Sequence, residues 1–323
     1  MKIIRLKFRS GLHIGSDYGG IGRERVQETV HSDTLFSMLV NACAESQGLS
    51  NVPEFIQSVK VISSGLPYVR RSRDRYDYFL PRPLIDPMNF CGQWGADRKQ
   101  KYHKHIKKCA FVDRDTFTPW VQGREINLNK IKEPEYRTLF TIALRPQHAR
   151  DRLTYASAIY HTGELFFADN AGLYFLIDGV SNDTLQLLMG QASLRGLGGR
   201  RSNGCGCFNY QMEDIDRSWE VLLNGPGEAF TILSLFHPEE TEFSTLNPKA
   251  YNLVQRKGWT YSAVASGQFK RKTCHMFGEG SVFGGKPQGQ LVDVTPPAML
   301  EFHPIYRFGK AFSIRCTIPG GVS

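Results

Sequence analysis

The order strand, long loop, helix, strand occurs twice along the chain. Each occurrence reads as helices on one face of an antiparallel sheet. Together they predict an α+β fold of two ferredoxin-like (RRM-like) units with a glycine-rich loop and insertions. The length agrees, since 323 residues suffice for two domains of ordinary size. The expected division is an N-terminal unit at 1–137, with an insertion at about 84–136, and a C-terminal unit at 138–323. The duplication lies in the order of elements, because the residues themselves show no clear repeat.

The first unit opens with a strand. Ile4, Leu6 and Phe8 alternate with Arg5, Lys7 and Arg9, which gives one apolar and one basic face. A glycine-rich loop follows from Gly11 to Gly22. Next comes a helix in which Leu35, Phe36, Met38, Leu39 and Ala42 share one face, Ser32 or Asp33 is the expected cap, and Gly48 lies just past the end. Strands are expected at 59–63 and at 76–80, the latter closed by Pro81 and Pro83. Residues 84–136 lack steady periodicity and carry a charge run at 97–108, so they read as a mobile insertion or one ordered by a partner.

The second unit begins with a strand at 139–144, then a polar, basic stretch at 145–162. Strands follow at 163–168 and 172–177, then a helix capped near Ser181 and running through Leu185, Leu188, Met189 and Ala192. A strand at 207–211 comes after the glycine-rich loop 196–206, and later strands are expected at 229–236, 259–265, 290–294 and 311–318.

Forty Lys and Arg against 31 Asp and Glu leave a net charge of +9. That excess points to phosphates on nucleic acid, on nucleotides or on an anionic surface. The N-terminus lacks the apolar stretch of a signal peptide, and no apolar run approaches a membrane span. Seven scattered cysteines without a CxxC pair read as reduced thiols in a cytoplasmic protein. No cofactor or metal is expected. Cys91, His103, His105 and Cys109 could supply four zinc ligands, but their spacing fits no standard zinc pattern.

Residues 196–206 carry the clearest chemistry. Glycines let backbone N–H groups approach a phosphate, and Arg200 and Arg201 can bind it bidentately. A dinucleotide loop must follow a strand and open a helix, whereas here a helix precedes and a strand follows. A phosphate-backbone cradle for nucleic acid is the functional reading that remains. A flexible helix-to-strand turn with solvated arginines is the plain alternative.

A glycine-rich loop after the second helix, followed by a strand, resembles the RAMP proteins of CRISPR–Cas systems. Within them, His31-Ser32-Asp33-Thr34-Leu35-Phe36-Ser37 is similar to the first-helix signature of the fourth-subunit family of type III-A Csm effector complexes (the Cas-five group). Gly196-Leu197-Gly198-Gly199-Arg200-Arg201-Ser202-Asn203-Gly204 resembles that family's glycine loop. Arg150-Asp151-Arg152-Leu153-Thr154, with Gly163-Glu164-Leu165-Phe166 after it, resembles its thumb and the strand that follows. The resemblance spans most of residues 1–210 and implies a non-catalytic RNA-binding subunit in antiviral defence. Such a subunit grips the 5′ handle of CRISPR RNA and lies near target RNA at the guide's 5′ end. It joins the large Palm-domain (Cas-ten type) subunit to backbone subunit three.

The expected RNA-binding residues are therefore His13 and Tyr18 in the first loop, with His31, Ser32 and Asp33 at the helix entrance. Arg150 and Arg152 are expected in the thumb, and Gly196, Gly198, Gly199, Arg200, Arg201, Ser202, Asn203 and Gly204 in the loop. Two enzymatic alternatives stand beside this reading. One is a guide-processing endoribonuclease with His13 or His31 as base; the other is a target-cleaving backbone subunit using Asp33. A general single-strand RNA-binding module is the third alternative. Lys270-Arg271-Lys272 forms a second basic cluster suited to RNA or a partner subunit.

Overall fold

The alternation at the N-terminus predicts a strand with two unlike faces, and that strand lies inside the main sheet. The computed structural model describes residues 1–15, 24–90, 96–132, 134–262, 264–265, 267 and 269–319. The chain runs β1 (Lys2–Phe8), α1 (Ser32–Gln47), α2 (Val52–Ser58), β2 (Val61–Ile62), β3 (Leu66–Arg70) and β4 (Tyr76–Pro81). Then come α3 (Ala96–Lys108), β5 (Phe111–Asp113), α4 (Arg114–Val121) and α5 (Leu128–Lys132). A long pair, β6 (Phe140–Arg150) and β7 (Ser157–Phe167), precedes β8 (Ala171–Asp178), α6 (Asn182–Arg195), β9 (Phe208–Asp214) and α7 (Arg217–Leu223).

The main sheet has the order β5-β4-β3-β8-β1-β9, with β2 also paired to β8. Every pair in it is antiparallel. β1 sits between β8 and β9, so strands from both expected units share one sheet. The division at 137/138 is thereby corrected: it cuts through a single hydrogen-bonded layer. Pairing across such sequence distance leaves no local trace, because each strand's pattern is satisfied by any apolar partner.

The two faces of β1 feed two cores. Ile4 and Leu6 pack with Leu35, Phe36 and Leu39 of α1 and with Leu185, Leu188 and Met189 of α6. Ser181 caps α6 by accepting the Thr184 N–H at 3.2 Å, as its sequence pattern predicts. On the other face Ile3 joins a cluster with Tyr68, Tyr174, Phe117, Trp120, Tyr136 and Trp219. Much of that cluster comes from the 84–136 segment, expected to be mobile or ordered by a partner; its described residues instead pack as a folded layer within the chain. Its core residues, among them Ile106, Phe117, Trp120, Ile131 and Tyr136, are scattered over three helices, a short strand and loops, so no periodicity builds up.

The C-terminal part holds β10 (Ala229–Ile232), α8 (Phe243–Leu246), β11 (Pro248–Ala250), β12 (Leu253–Arg256), β13 (Cys274–Phe277) and β14 (Val282–Phe283). It ends with β15 (Leu291–Asp293), β16 (Tyr306–Phe308) and β17 (Ser313–Cys316). Its four-stranded sheet has the order β11-β14-β10-β17, beside the pairs β12-β13 and β15-β16. Among the described residues of 259–265 no strand forms: Trp259 makes an isolated bridge to Lys270. Among the described residues no helix is long and apolar enough to cross a membrane.

Candidate nucleic-acid interface

The basic stretch 145–162 is not a loop. It forms most of an eleven-rung antiparallel hairpin in register from Phe140↔Phe167 to Arg150↔Ser157. Its outer half is solvated on both faces, and Leu153 at the tip is 91% exposed. The tip is a compact turn: the Asp151 carboxylate accepts the Leu153 and Thr154 N–H groups, both at 2.8 Å. Those bonds hold the Asp151 carboxyl below its ordinary range. Arg150 lies over the Tyr155 ring at 4.9 Å, and Arg152 is exposed.

At the hairpin's base three glycine-containing segments come together. Leu12 and Leu165 exchange two N–H···O bonds of 2.8 Å. The Gly199 N–H donates to the His13 carbonyl and the Gly206 N–H to the Gly11 carbonyl, each at 2.8 Å. A Cβ on Gly198 would lie 2.6 Å from the His13 oxygen, and one on Gly206 would lie 1.9 Å from the Leu197 oxygen. Both glycines also have positive φ. Part of the glycine content therefore serves this close stacking of backbones. The half-buried His13 ring donates Nδ1–H to the Gly163 carbonyl at 2.7 Å. That bond fixes the ring against β7.

The outward side of the loop is different. Gly199, Ser202, Asn203 and Gly204 are exposed, whereas Gly196 is buried. Arg200, at φ 57°, reaches the hairpin and donates Nη2–H to Gln147 Oε1 at 3.0 Å. Arg201 lies over the ring of Tyr261, 4.9 Å from its centroid, and Lys270 lies over Trp259 at 5.4 Å. Among the described residues Arg150, Arg152 and Arg201 make no ion pair with a carboxylate. Arg145, by contrast, pairs with the buried Glu164 at 3.3 Å. The hairpin, the glycine loop and the 259–261 segment thus form one surface of unneutralised arginines and exposed aromatics. Tyr261 and Gln147 were not among the expected residues. The Trp259-x-Tyr261 spacing beside the basic 270–272 cluster is the signal that could have marked the first of them.

The first-helix entrance is corrected. The N-cap is His31, with no side-chain cap bond, rather than Ser32 or Asp33. Ser32 and Asp33 have no exposed surface, and His31 is buried too. The Ser32 hydroxyl accepts the Leu235 N–H at 3.0 Å, and the Ser64 hydroxyl accepts the Ser32 N–H at 2.9 Å. Asp33 accepts two bonds from Arg256, at 2.9 and 3.0 Å, and one from Arg307. His31 Nδ1 lies 2.7 Å from Glu279, whose carboxylate also accepts from Ser64. Burial opposes the charge on His31, yet the Glu279 carboxylate outweighs it and the imidazole pKa rises. These three residues clamp α1 to the C-terminal part and present nothing to a strand of RNA. The 270–272 cluster is divided as well, since Arg271 turns into this buried group while Lys270 covers Trp259. Burial and the Arg307 charge pull the Arg271 guanidinium down.

Tyr18 lies outside the described residues, as does Cys91 of the four possible zinc ligands. Of the others, Cys109 donates its thiol to the Phe111 carbonyl, and His103 Nδ1 is 3.6 Å from Asp86. Among the described residues no three His, Cys, Asp or Glu side chains gather as a metal site.

Residues 226–316 match the family model of the CRISPR Csm4 C-terminal domain. The CRISPR system Cms protein Csm4 of Thermococcus onnurineus is 27% identical over 305 residues, covering 90% of this chain and 93% of that protein. The fold is also similar to a chain of the crystal structure of a Csm1–Csm4 cassette in complex with cA4, with TM-score 0.64, 18% identity and 99% of both chains covered. A chain of the Csm3–Csm4 subcomplex of a type III-A CRISPR–Cas interference complex gives TM-score 0.63 at 18% identity, covering 97% of this chain and 99% of that one. Along nine-tenths of its length this chain is thus similar to a Csm4 protein of CRISPR systems, and its residues 226–316 match the Csm4 C-terminal domain.

Proposed function

We propose that the chain is a non-catalytic RNA-binding subunit of a type III-A CRISPR interference complex, acting in antiviral defence. It grips the repeat-derived 5′ handle of the guide. It bridges the large Palm-domain subunit to the backbone subunits; similar chains are solved with Csm1 in one structure and with Csm3 in another, which supports that reading. The observation that carries this reading is the shared surface of hairpin and glycine loop, joined by the bond from Arg200 to Gln147. Handle phosphates lie against Arg200, Arg201 and the exposed backbone of 199–204. Splayed bases find Tyr155, Tyr261 and Trp259 as stacking partners. The hairpin, as thumb, reaches toward target RNA near the guide's 5′ end. The strand order β9-β1-β8-β3, with α1 and α6 on one face, supports the ferredoxin-like description for one unit, assembled from both sides of residue 137.

The nuclease alternatives lose support at two of their named residues. Asp33 is sealed between Arg256 and Arg307, and His31 is buried against Glu279. The deciding measurement compares binding of a repeat-handle RNA with a scrambled RNA at fixed salt. The chain should prefer the handle, and Arg200→Ala with Arg201→Ala should lower handle affinity roughly tenfold through two lost phosphate contacts. Equal affinity for both RNAs would indicate a general binder. Cleavage of repeat RNA that disappears in His13→Ala would overturn the non-catalytic reading.

A further inference from the structure

The main sheet has a second open region, on the face away from α1 and α6. Two adjoining clefts occupy it and share Arg5, Arg70, Tyr76 and Gln211 in their walls. The larger, of ≈ 590 Å³, adds Arg73, Arg75 and Arg114. The smaller, of ≈ 240 Å³, adds Lys7, Tyr68, Tyr210 and Asn209.

The larger cleft has donors without acceptors. Arg5 is 2% exposed; it donates to Tyr78 at 2.8 Å and to Glu213, and its guanidinium covers the Tyr76 ring at 4.0 Å. Its buried Nε–H has no hydrogen-bond partner, and neither has the buried Nη1–H of Arg114, whose ion pair with Asp216 is long at 3.9 Å. A buried donor left unpaired is destabilising, so a ligand that brings acceptor oxygens is favoured there. Arg70 and Arg73 are exposed and make no side-chain hydrogen bond or ion pair among the described residues. Across both clefts six cations face four carboxylates, and two of those carboxylates are already engaged, Glu213 by Arg5 and Asp216 as the cap of α7. The smaller cleft supplies phenol rings and amides. Tyr76 donates its hydroxyl to Gln211 Oε1 at 3.1 Å, which leaves the Gln211 amide N–H groups facing the cleft.

We infer that this face is a second site for single-stranded RNA, with phosphates in the arginine cleft and a base in the neighbouring tyrosine cleft. An acidic protein would satisfy the arginines but would leave the rings and amides unused, whereas RNA uses both. The choice of RNA as ligand rests on the RNA-binding reading above, but the residues are separate, and Arg5, Tyr68 and Tyr76 lie on the opposite face of the main sheet from α1 and α6.

The test uses the full-length chain and a fluorescent oligouridylate of about 15 nucleotides, the upper range of one single-strand site. Arg70→Glu with Arg73→Glu should weaken binding roughly tenfold. It should also make the log–log salt dependence shallower by about 1.4, or ~0.7 for each lost phosphate contact. The loss should persist in an Arg201→Ala background, which separates this site from the glycine loop. An oligonucleotide carrying 5-iodouridine should crosslink to Tyr76 or Tyr68. Lys7→Ala, at an exposed position, repeats the test if the double variant melts early. Unchanged affinity and salt slope, or crosslinks confined to the glycine loop and hairpin, would overturn the site. So would displacement by AMP or by oligoglutamate at the concentration where unlabelled oligouridylate displaces, marking a mononucleotide or acidic-protein site instead. A loss in Arg201→Ala alone would leave the glycine-loop reading standing and remove this one.

Discussion

The glycine loop and the first-helix entrance carry the same kinds of residue and put them to opposite uses. Both bring arginine and a serine beside a helix end, and both suit phosphate when read as sequence. At the entrance, Arg256 and Arg307 are spent on Asp33, and no surface remains. At the loop, Arg201 rests on an aromatic ring and Arg200 on an amide, so their charges stay available. The lesson is that a basic residue counts toward binding only after its carboxylate partners have been subtracted. Subtraction needs the tertiary fold.

The contrast breaks most visibly at Asp33. Asp33→Ala leaves two buried guanidinium groups uncompensated, which costs about 3–5 kcal/mol when one member of a buried pair is removed. Urea denaturation should show that loss, together with loosening of the C-terminal part from α1. Handle RNA binding by the folded fraction should be little changed. A stable Asp33→Ala protein with impaired RNA binding would reverse the roles assigned to the two regions.

Within the glycine loop a pair of substitutions sharpens the division between structure and binding. Gly206 and Gly204 both have positive φ, of 76° and 80°. Alanine at 206 would also drive its Cβ to 1.9 Å from the Leu197 oxygen, whereas nothing lies within 4 Å at 204. Gly206→Ala should therefore cost about 2–4 kcal/mol, from the left-handed backbone together with the clash. Gly204→Ala should cost only ~1 kcal/mol, from the backbone alone. Thermal melting checks the difference. If the two melt alike, the backbone stacking of Gly11, His13, Leu197 and Gly206 is not what fixes the loop.

What could be read in the sequence follows the range of the interactions. β1, α1 and α6 were legible because a periodic apolar face is local, and so is the Ser181 cap of α6. The charge of the hairpin was legible, but its strands were not: Arg145 to Thr162 alternate no hydrophobic pattern, since most of that part is solvated on both faces. The expected unit boundary failed because β1 pairs with β8 and β9, far along the chain. Asp33 misled for the same reason, because its partners lie 223 and 274 residues away. Short segments with single aromatic anchors, such as Trp120 and Tyr136, conceal a folded layer inside what reads as an insertion.

The mildest perturbation of the entrance is a proton. His31 and Glu279 form a buried pair whose charges support each other. Burial opposes both charges, but the mutual attraction and the shared hydrogen bond raise the His31 pKa and lower that of Glu279. A raised histidine contributes fully below its ordinary value of 6.5, and that contribution is lost as pH rises through the raised value. A lowered glutamate contributes above its ordinary 4.5 and loses that contribution as pH falls through the lowered value. Stability from the pair is thus complete between these two limits and declines on the alkaline side as His31 discharges. The loss should be roughly 1.5 kcal/mol, the lower end for a hydrogen bond to a charged group. Denaturation midpoints measured across pH should show this alkaline decline in the native chain and not in His31→Gln. The affinity for handle RNA at constant salt should stay level over the same range, because the buried His31–Glu279 pair offers the strand no surface. A parallel fall in RNA affinity would tie the entrance to the bound strand after all.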